Sequence, residues 1–352
     1  STPLYSSAAS DVYKRQNLMY VSKTPLRVSF FGGGTDYPSY FKNKPSSVFG
    51  GAINKHVYTT ALPLAPFADQ KFRVAYRVVE DAAKVEDISH PVIREYLKLV
   101  GFDTPYSFAT MSDLPGSTGL GSSSSFTVGF ANLIAIIQNE FLCPESLALK
   151  AIHLEQTVLG ENVGVQDQTH AAYGGVARYD FSWRNNQTVI ERDEAVIPHS
   201  RNQLLNKSMV LVYTSIQRHA SKVLDTQLAR TVSGDNNSYL DRMYEMVQEG
   251  MDLLESPGDD KDILQQFGGM LNESWELKKG LGKDTTNHII EDIYQTGRDL
   301  GAYGGKLLGA GGGGFVLFLV DPERITALEN EFGKTNVIPV KFVNDGSRVQ
   351  TV

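Results

Sequence analysis

The sequence predicts an α+β protein of two domains. Strand-type segments fill the chain from Met19 to about Thr110, helical periodicity then takes over, and strands return near the end. The length, 352 residues, suits two units of about 100–200 residues each. A polar stretch, PHSRNQLLNK at 198–207, offers a boundary between them. The expected division is a leader over 1–18, a first domain over 19–203 and a second over 204–352.

The leader, STPLYSSAASDVYKRQ at 1–16, is polar and without period. It lacks the roughly 7–15-residue apolar region of a secretory signal and reads as a disordered or non-native leader. Residues 20–31, 48–62, 71–79 and 106–111 are rich in β-branched and aromatic side chains and are expected strands. Phe126, Phe130, Leu133, Ile137 and Phe141 then recur at three- and four-residue spacing, one face of a helix. Pro144 opens a second helix with Leu147, Ala151, Leu154 and Val158 on one side and Gly160 as its stop. Residues 173–181 and 187–192 read as a hairpin, and 208–214 as a short apolar strand. Helices are expected over 221–230, 238–255, 262–279 and 287–300. A buried strand follows at 314–320, a helix from Pro322 and a last strand at 336–343. Trp275 and the other aromatics read as core.

Composition excludes several classes. Hydrophobic residues make up 41% and charged residues 21%, which supports a sizeable core and argues against disorder. Lys plus Arg total 33 against 40 Asp plus Glu, a net charge of -7, which argues against a nucleic-acid binder. Cys143 is the single cysteine, so an internal disulfide framework or Cys-rich zinc site is excluded and a reducing cytoplasm is expected. The histidines form no metal-ligand cluster. No run reaches the roughly 18 apolar residues of a membrane span, so no membrane partner is expected.

Glycine is the outlier. There are 32, and many fall in three clusters. The first, FGGGTDY at 31–37, follows the strand carrying Arg27 and leaves the Asp36 carboxylate at its exit. It reads as a close-approach loop or as a plain turn. The second, LPGSTGLGSSSS at 114–125, feeds straight into a helix. Free N–H groups and the positive end of the helix dipole make such a loop an anion site. It lacks the lysine of a Walker A loop. The third, KLLGAGGGG at 306–314, spells G-x-G-x-x-G but precedes a strand where a dinucleotide loop would open a helix. A turn supporting the phosphate loop fits it better than an NAD site.

In this order the motifs TPLRVSFFGGGTDYPSYF (24–41), PGSTGLGSSSS (115–125) and KLLGAGGGGFVLF (306–318) resemble the GHMP sugar and small-molecule kinases. The GGGTDY form looks most like the bacterial D-glycero-D-manno-heptose 7-phosphate kinases and their fucokinase-like relatives. The resemblance implies a ribosomal-S5-like N-terminal domain and a ferredoxin-like C-terminal domain, with ATP and substrate between them. It also implies ATP and Mg²⁺ as cofactors, a sugar phosphate as small-molecule partner, and a monomer or homodimer.

The resemblance also suggests roles. Pro115, Gly116, Ser117, Gly119, Leu120, Gly121, Ser122, Ser123 and Ser124 would bind ATP phosphates. Asp167, in the segment EQTVLGENVGVQDQ (155–168), would accept the acceptor proton. Glu155 and Ser123 would hold Mg²⁺, with Glu161 the rival for Glu155. Matching the segment to the mevalonate kinases implies one extra residue here. Arg27 sits where galactokinases carry a catalytic arginine and would act on Asp167 and steady the γ-phosphate. Gly33, Gly34, Thr35, Asp36, Gly311 and Gly312 would contact substrate. Arg218, at a helix start with Lys222, would hold a sugar 7-phosphate, with Arg178 and Lys306 as further candidates. The implied reaction is phosphorylation of the anomeric hydroxyl of a heptose 7-phosphate. The alternatives are a kinase of free L-fucose or galactose, a non-catalytic binder of nucleotide or sugar phosphate and, remotely, an NAD-dependent oxidoreductase.

Overall fold

A long apolar strand needs a long partner, and the first two strands provide this for each other. In the computed structural model, which describes residues 18–352 apart from 66 and 217–220, β1 (Tyr20–Phe31) and β2 (Ser46–Pro63) pair antiparallel from Tyr20↔Ala61 to Phe31↔Phe49. They flank the short helix α1 (Pro38–Phe41). After β2 come β3 (Phe72–Ala75), β4 (Val79–Ala82), α2 (Pro91–Leu99) and β5 (Tyr106–Ser112). Next are α3 (Ser122–Ile137), α4 (Pro144–His153), a π-helical turn (Leu154–Val158) and α5 (Gln166–Tyr173). The hairpin of β6 (Val176–Arg184) and β7 (Gln187–Glu194) and helix α6 (His199–Ser208) complete this half. The sheet buries one face on α3, which is buried from Ser124 to Ala135, as an all-round apolar helix must be.

The second half contains β8 (Met209–Tyr213), α7 (Ser221–Val232), α8 (Asn237–Glu255), α9 (Asp260–Gly280) and α10 (His288–Asp299). β9 (Ala302–Leu307), β10 (Phe315–Val320), α11 (Ile325–Phe332), β11 (Val337–Pro339) and β12 (Arg348–Thr351) follow. Its sheet runs β11-β8-β10-β9, antiparallel throughout. This is the strand order of the ferredoxin-like split βαβ arrangement. The helices start on caps legible in the sequence. Asp259 accepts from the N–H groups of Lys261 and Asp262, and Asn287 from that of Ile290. Trp275 lies fully buried beneath the sheet, as expected of a core residue. Among the described residues no helix is long and apolar enough to cross a membrane.

The structure departs from the sequence reading in five places. The strand expected over 71–79 is the hairpin β3–β4. Phe141 is exposed, because α3 ends at Ile137 and Asn139 takes a left-handed φ of 61°. The helix from Pro144 keeps its α-geometry only to His153, and the π turn takes over to Val158. The division at 203/204 falls inside α6, so the polar stretch is a helix and the crossing to the second sheet comes at Ser208–Met209. The last strand ends early, and β12 returns to the first sheet, pairing antiparallel with β1 from Tyr20↔Thr351 to Lys23↔Arg348. Assigning all of 204–352 to the second domain is therefore corrected. Most of the leader lies outside the described residues.

Arg201 explains why α6 looks polar yet is built in. It is 1% exposed. Its guanidinium donates to the carbonyls of Leu254 (2.8 Å), Ser256 (2.6 Å) and Gly258 (3.2 Å) and to the Asp260 carboxylate (3.1 Å). It thus satisfies carbonyls at the end of α8 that the helix itself cannot. Arg201→Ala should lower stability by about 3 kcal/mol, read as a fall in the urea midpoint at unchanged slope.

Candidate active site

Arg27 and Ser29 are two residues apart on β1 and share a face, while Leu26, Val28 and Phe30 pack in the core. That face borders a cavity of about 260 Å³ between the two halves, lined by parts of all three glycine loops. Arg27 is 4% exposed and organises one side of it. Its Nε and Nη2 donate to Oδ1 of Asp167, at 2.9 and 2.7 Å, and its Nη1 donates to the carbonyl of Gly119 at 2.7 Å. Asp167, in the first turn of α5, keeps 27% side-chain exposure. Its Oδ2 lies beside Gly121, where a Cβ would approach to 3.2 Å. One oxygen of the carboxylate is therefore gripped and the other faces the loop and cleft.

The phosphate loop is held from below. The Thr118 hydroxyl donates to the Pro115 carbonyl at 2.7 Å, and the Arg27 N–H to the Leu120 carbonyl at 3.1 Å. Pro115, Gly116 and Leu120 do not line the cavity: Pro115 and Gly116 are exposed, and Leu120 is fully buried. Ser117, Gly119, Gly121, Ser122, Ser123 and Ser124 line it. Gly121, with φ 75°, opens α3, and no side chain caps that helix start. Its first-turn N–H groups are the natural anion donors.

The serines diverge because successive helical residues point about 100° apart. Ser122 and Ser123 line the cleft, Ser124 Oγ donates to Glu155 Oε2 at 2.9 Å, and Ser125 Oγ donates to the Pro25 carbonyl. The structure thus brings Ser124, rather than Ser123, into contact with Glu155. Glu155 is 1% exposed; Gln168 Nε2 also donates to Oε2, while Oε1 has no partner. Burial pushes this carboxyl up to about 7. Neither Glu155 nor its rival Glu161 lines the cavity itself; Glu161 is exposed, whereas Glu155 lies behind the lining residue Ser124. Glu155 sits in the π turn, which keeps its side chain buried.

Asp36 is 1% exposed and lines the cavity. It accepts from the Gly34 N–H (2.9 Å), the Gln166 N–H (3.2 Å) and the Gln166 amide (3.2 Å). Burial, with the neighbouring Asp167 adding to it, raises its carboxyl to about 6 against the opposing pull of the Gly34 N–H. Gly33 and Gly34 also line the cavity. Thr35 does not: it is fully buried, and its hydroxyl lies 2.8 Å from the Gly32 carbonyl and 3.0 Å from that of Ser47. The expectation that Thr35 meets substrate is corrected, since it pins the loop.

In the third loop Gly311 lines the cavity, whereas the Gly312 N–H donates to the Thr285 carbonyl at 2.9 Å and Gly312 stays outside the lining. Gly312 is corrected likewise to a scaffold residue. Arg178 pairs with Asp180 and Gln248 away from the cavity, so it is no phosphate ligand there. Arg218 lies outside the described residues.

Sequence reasoning missed Ser29, Tyr37, Gln166 and Lys278, all in the lining. Ser29 could have been found from its two-residue spacing to Arg27. Ser29 Oγ and Gln166 Oε1 are buried without a partner. Lys278 ends a buried stripe on α9 that runs Phe267, Leu271, Ser274, Trp275, Lys278, and a lysine in such a stripe is itself the signal. Among the described residues no group of three or more His, Cys, Asp or Glu side chains forms a metal site.

Residues 79–175 match the family model of the GHMP kinases N terminal domain, and 261–337 that of the GHMP kinases C terminal region. A D-glycero-alpha-D-manno-heptose 7-phosphate kinase of Campylobacter jejuni is 30% identical over 333 residues, 89% of this chain and 94% of that protein. The bifunctional fucokinase/GDP-fucose pyrophosphorylase of Arabidopsis thaliana is 24% identical over 91% of this chain, which spans only 32% of that protein. In fold, the chain resembles a D-glycero-D-manno-heptose 1-phosphate kinase from Bacteriodes thetaiotaomicron, with a TM-score of 0.68 at 22% identity over 95% and 99% of the two chains. Lactococcus lactis galactokinase, complexed with galactose, gives 0.71 at 17% identity over 97% and 99%. With both family domains in place around the Arg27–Asp167 pair, and a 30%-identical relative matched over most of both chains, the protein belongs to the GHMP kinases.

Proposed function

We propose that the protein transfers the γ-phosphoryl group of ATP to the anomeric hydroxyl of D-glycero-D-manno-heptose 7-phosphate, giving the 1,7-bisphosphate and ADP. The observation that carries the chemistry is the Arg27 fork, which ties Asp167 and the phosphate loop to one rigid group. The acceptor follows the name of the 30%-identical relative. In this reading Asp167 Oδ2 takes the proton of the acceptor hydroxyl. The hydroxyl oxygen bonds to the γ-phosphorus, the bond to the β,γ-bridging oxygen breaks, and the electron pair leaves on ADP. Arg27 holds Asp167 in register, and the loop N–H groups with Ser122 and Ser123 take the phosphates. Asp36, Ser29 and Gln166 meet sugar hydroxyls, with Gly33, Gly34 and Gly311 giving the backbone close approach.

Mg²⁺ fits this donor set. Glu155 has a buried oxygen without a partner beside serine hydroxyls, and hard oxygen donors suit the ion. Glu155 with Ser123 or Ser124 would hold it, and when bound it would neutralise phosphate charge. Burial raises the Glu155 carboxyl to about 7 against the pull of hydrogen bonds from Thr127, Gln168 and Ser124, and a bound cation would favour its ionised form further. A small-molecule enzyme of this kind, acidic overall, is expected in the cytoplasm as a monomer or homodimer.

An ADP-release screen tests the acceptor. Heptose 7-phosphate should be turned over with much the higher kcat/KM; equal or better use of heptose 1-phosphate, L-fucose or galactose would overturn the choice. Asp167→Asn should lower kcat by about 10²–10⁴-fold with ATP affinity retained, and a near wild-type rate would remove the base assignment. Glu155→Gln should abolish the rise in melting temperature that Mg²⁺ adds on top of a non-hydrolysable ATP analogue; an unchanged increment would place the metal elsewhere.

A further inference from the structure

Two lysines of the second half end at the cleft without a counter-ion. Lys306, on β9, is 3% exposed, and its Nζ donates to the Phe30 carbonyl (2.7 Å) and Ser274 Oγ (3.0 Å). Lys278, on α9, is 7% exposed, and its Nζ donates to the carbonyls of Leu307 (2.7 Å) and Gly309 (2.5 Å). Both line the cavity. Neither forms an ion pair among the described residues. The two carboxylates in the lining are engaged elsewhere, Asp167 by Arg27 and Asp36 by Gly34 and Gln166.

A buried ammonium without an anion is costly, and an apolar side chain of similar length would fill the same space at less cost. Burial, then Arg27, brings Lys306 down to about 7; burial, then Lys306 and Arg27, takes Lys278 well below its ordinary range. Two donors of each ammonium reach protein oxygens, which leaves a third on each. Arg27, Lys278 and Lys306 together outnumber the one carboxylate paired among them. Lys278 is bonded to Gly309, which touches Gly119 of the phosphate loop, so this corner adjoins the place where phosphates are expected.

We propose that Lys278 and Lys306 form an anion subsite on the second-domain wall of the cleft, and that its ligand is a phosphoryl group. The proposal rests on the kinase reading above and deepens it, pairing Lys306, the first residue of the third glycine motif, with Lys278, which no motif contains. The group is either the terminal phosphate of ATP or the phosphate carried by the acceptor.

The test uses the full chain and Lys278→Met, Lys306→Met and Lys306→Arg variants, their folding checked by thermal unfolding. Calorimetric titration with ADP and with β,γ-imido ATP, without sugar, gives the ratio of the two dissociation constants. Turnover of heptose 7-phosphate and of unphosphorylated heptose gives the corresponding ratio of kcat/KM. Loss of a charge-assisted bond to phosphate should shift one ratio by about tenfold or more in each Met variant, with Lys306→Arg recovering most of it. A shift in the nucleotide ratio assigns the subsite to the terminal phosphate, and a shift in the sugar ratio to the acceptor phosphate. A purely structural role would weaken all ligands alike and move neither ratio, so folded Met variants with both ratios within twofold of wild type would overturn the proposal. If the nucleotide ratio shifts but no heptose is phosphorylated, the acceptor assignment falls while the subsite stands. If wild type binds neither nucleotide nor sugar phosphate, the kinase reading fails and takes the subsite with it.

Discussion

Gly119 and Gly309 meet with no side chain between them. A Cβ on Gly309 would lie 2.3 Å from the Cα of Gly119, and one on Gly119 would lie 2.4 Å from the carbonyl oxygen of Leu308. Both residues hold a left-handed φ, 83° and 71°, which a side chain would strain. This contact between a loop of the first half and a loop of the second sets the width of the cleft. The Gly119 carbonyl takes Arg27, which in turn takes Asp167. The Gly309 carbonyl takes Lys278. The loop at 115–125, Asp167 and the second-domain lysines are thus referenced to one backbone contact, and a methyl group at either glycine would move all of them together.

Much of this was legible in the sequence, and the reasons differ by residue. The glycine loops could be read because positive φ and close approach leave few other residue types available. Arg27 and Asp167 could be read because the GHMP motifs surround them. The ferredoxin-like strand order followed from the same resemblance. Ser29 and Lys278 were less visible, since a serine in a strand and a lysine in a helix are ordinary until their neighbours are known to be buried. Thr35 and Gly312 were over-read. They sit inside functional motifs but serve the loops' own hydrogen bonds. The return of the chain as β12 could not be read either, because Arg348–Thr351 is short and mostly exposed, and only its pairing with β1 makes it a strand. Arg201 shows the reverse case: a polar-looking stretch hid a buried cation whose partners are carbonyls some 50 to 60 residues away.

The charge balance now has a location. The chain carries a net charge of -7, yet its cleft gathers Arg27, Lys278 and Lys306. Acidity elsewhere keeps the surface from attracting polyanions at large, while Arg27, joined by the two lysines when an anion beside them favours their protonation, acts at short range in a medium of low dielectric constant. Acids lie in the same cleft and are separated by environment. Asp36 is buried with its carboxyl raised to about 6, whereas Asp167, held through one oxygen, stays partly open.

The chain crosses from the first sheet to the second at Ser208–Met209 and comes back after Pro339, and the Val340 N–H donates to the Met209 carbonyl at 3.2 Å. Entry and exit therefore run side by side. The glycine contact and the Lys306–Phe30 bond join the halves at the cleft. The halves also share one apolar core, in which Phe30 and Phe31 meet Phe267 edge-on at 5.1 and 5.2 Å, so the energy that holds them together is spread across a packed interface and the glycine contact fixes the clearance beside the phosphate loop.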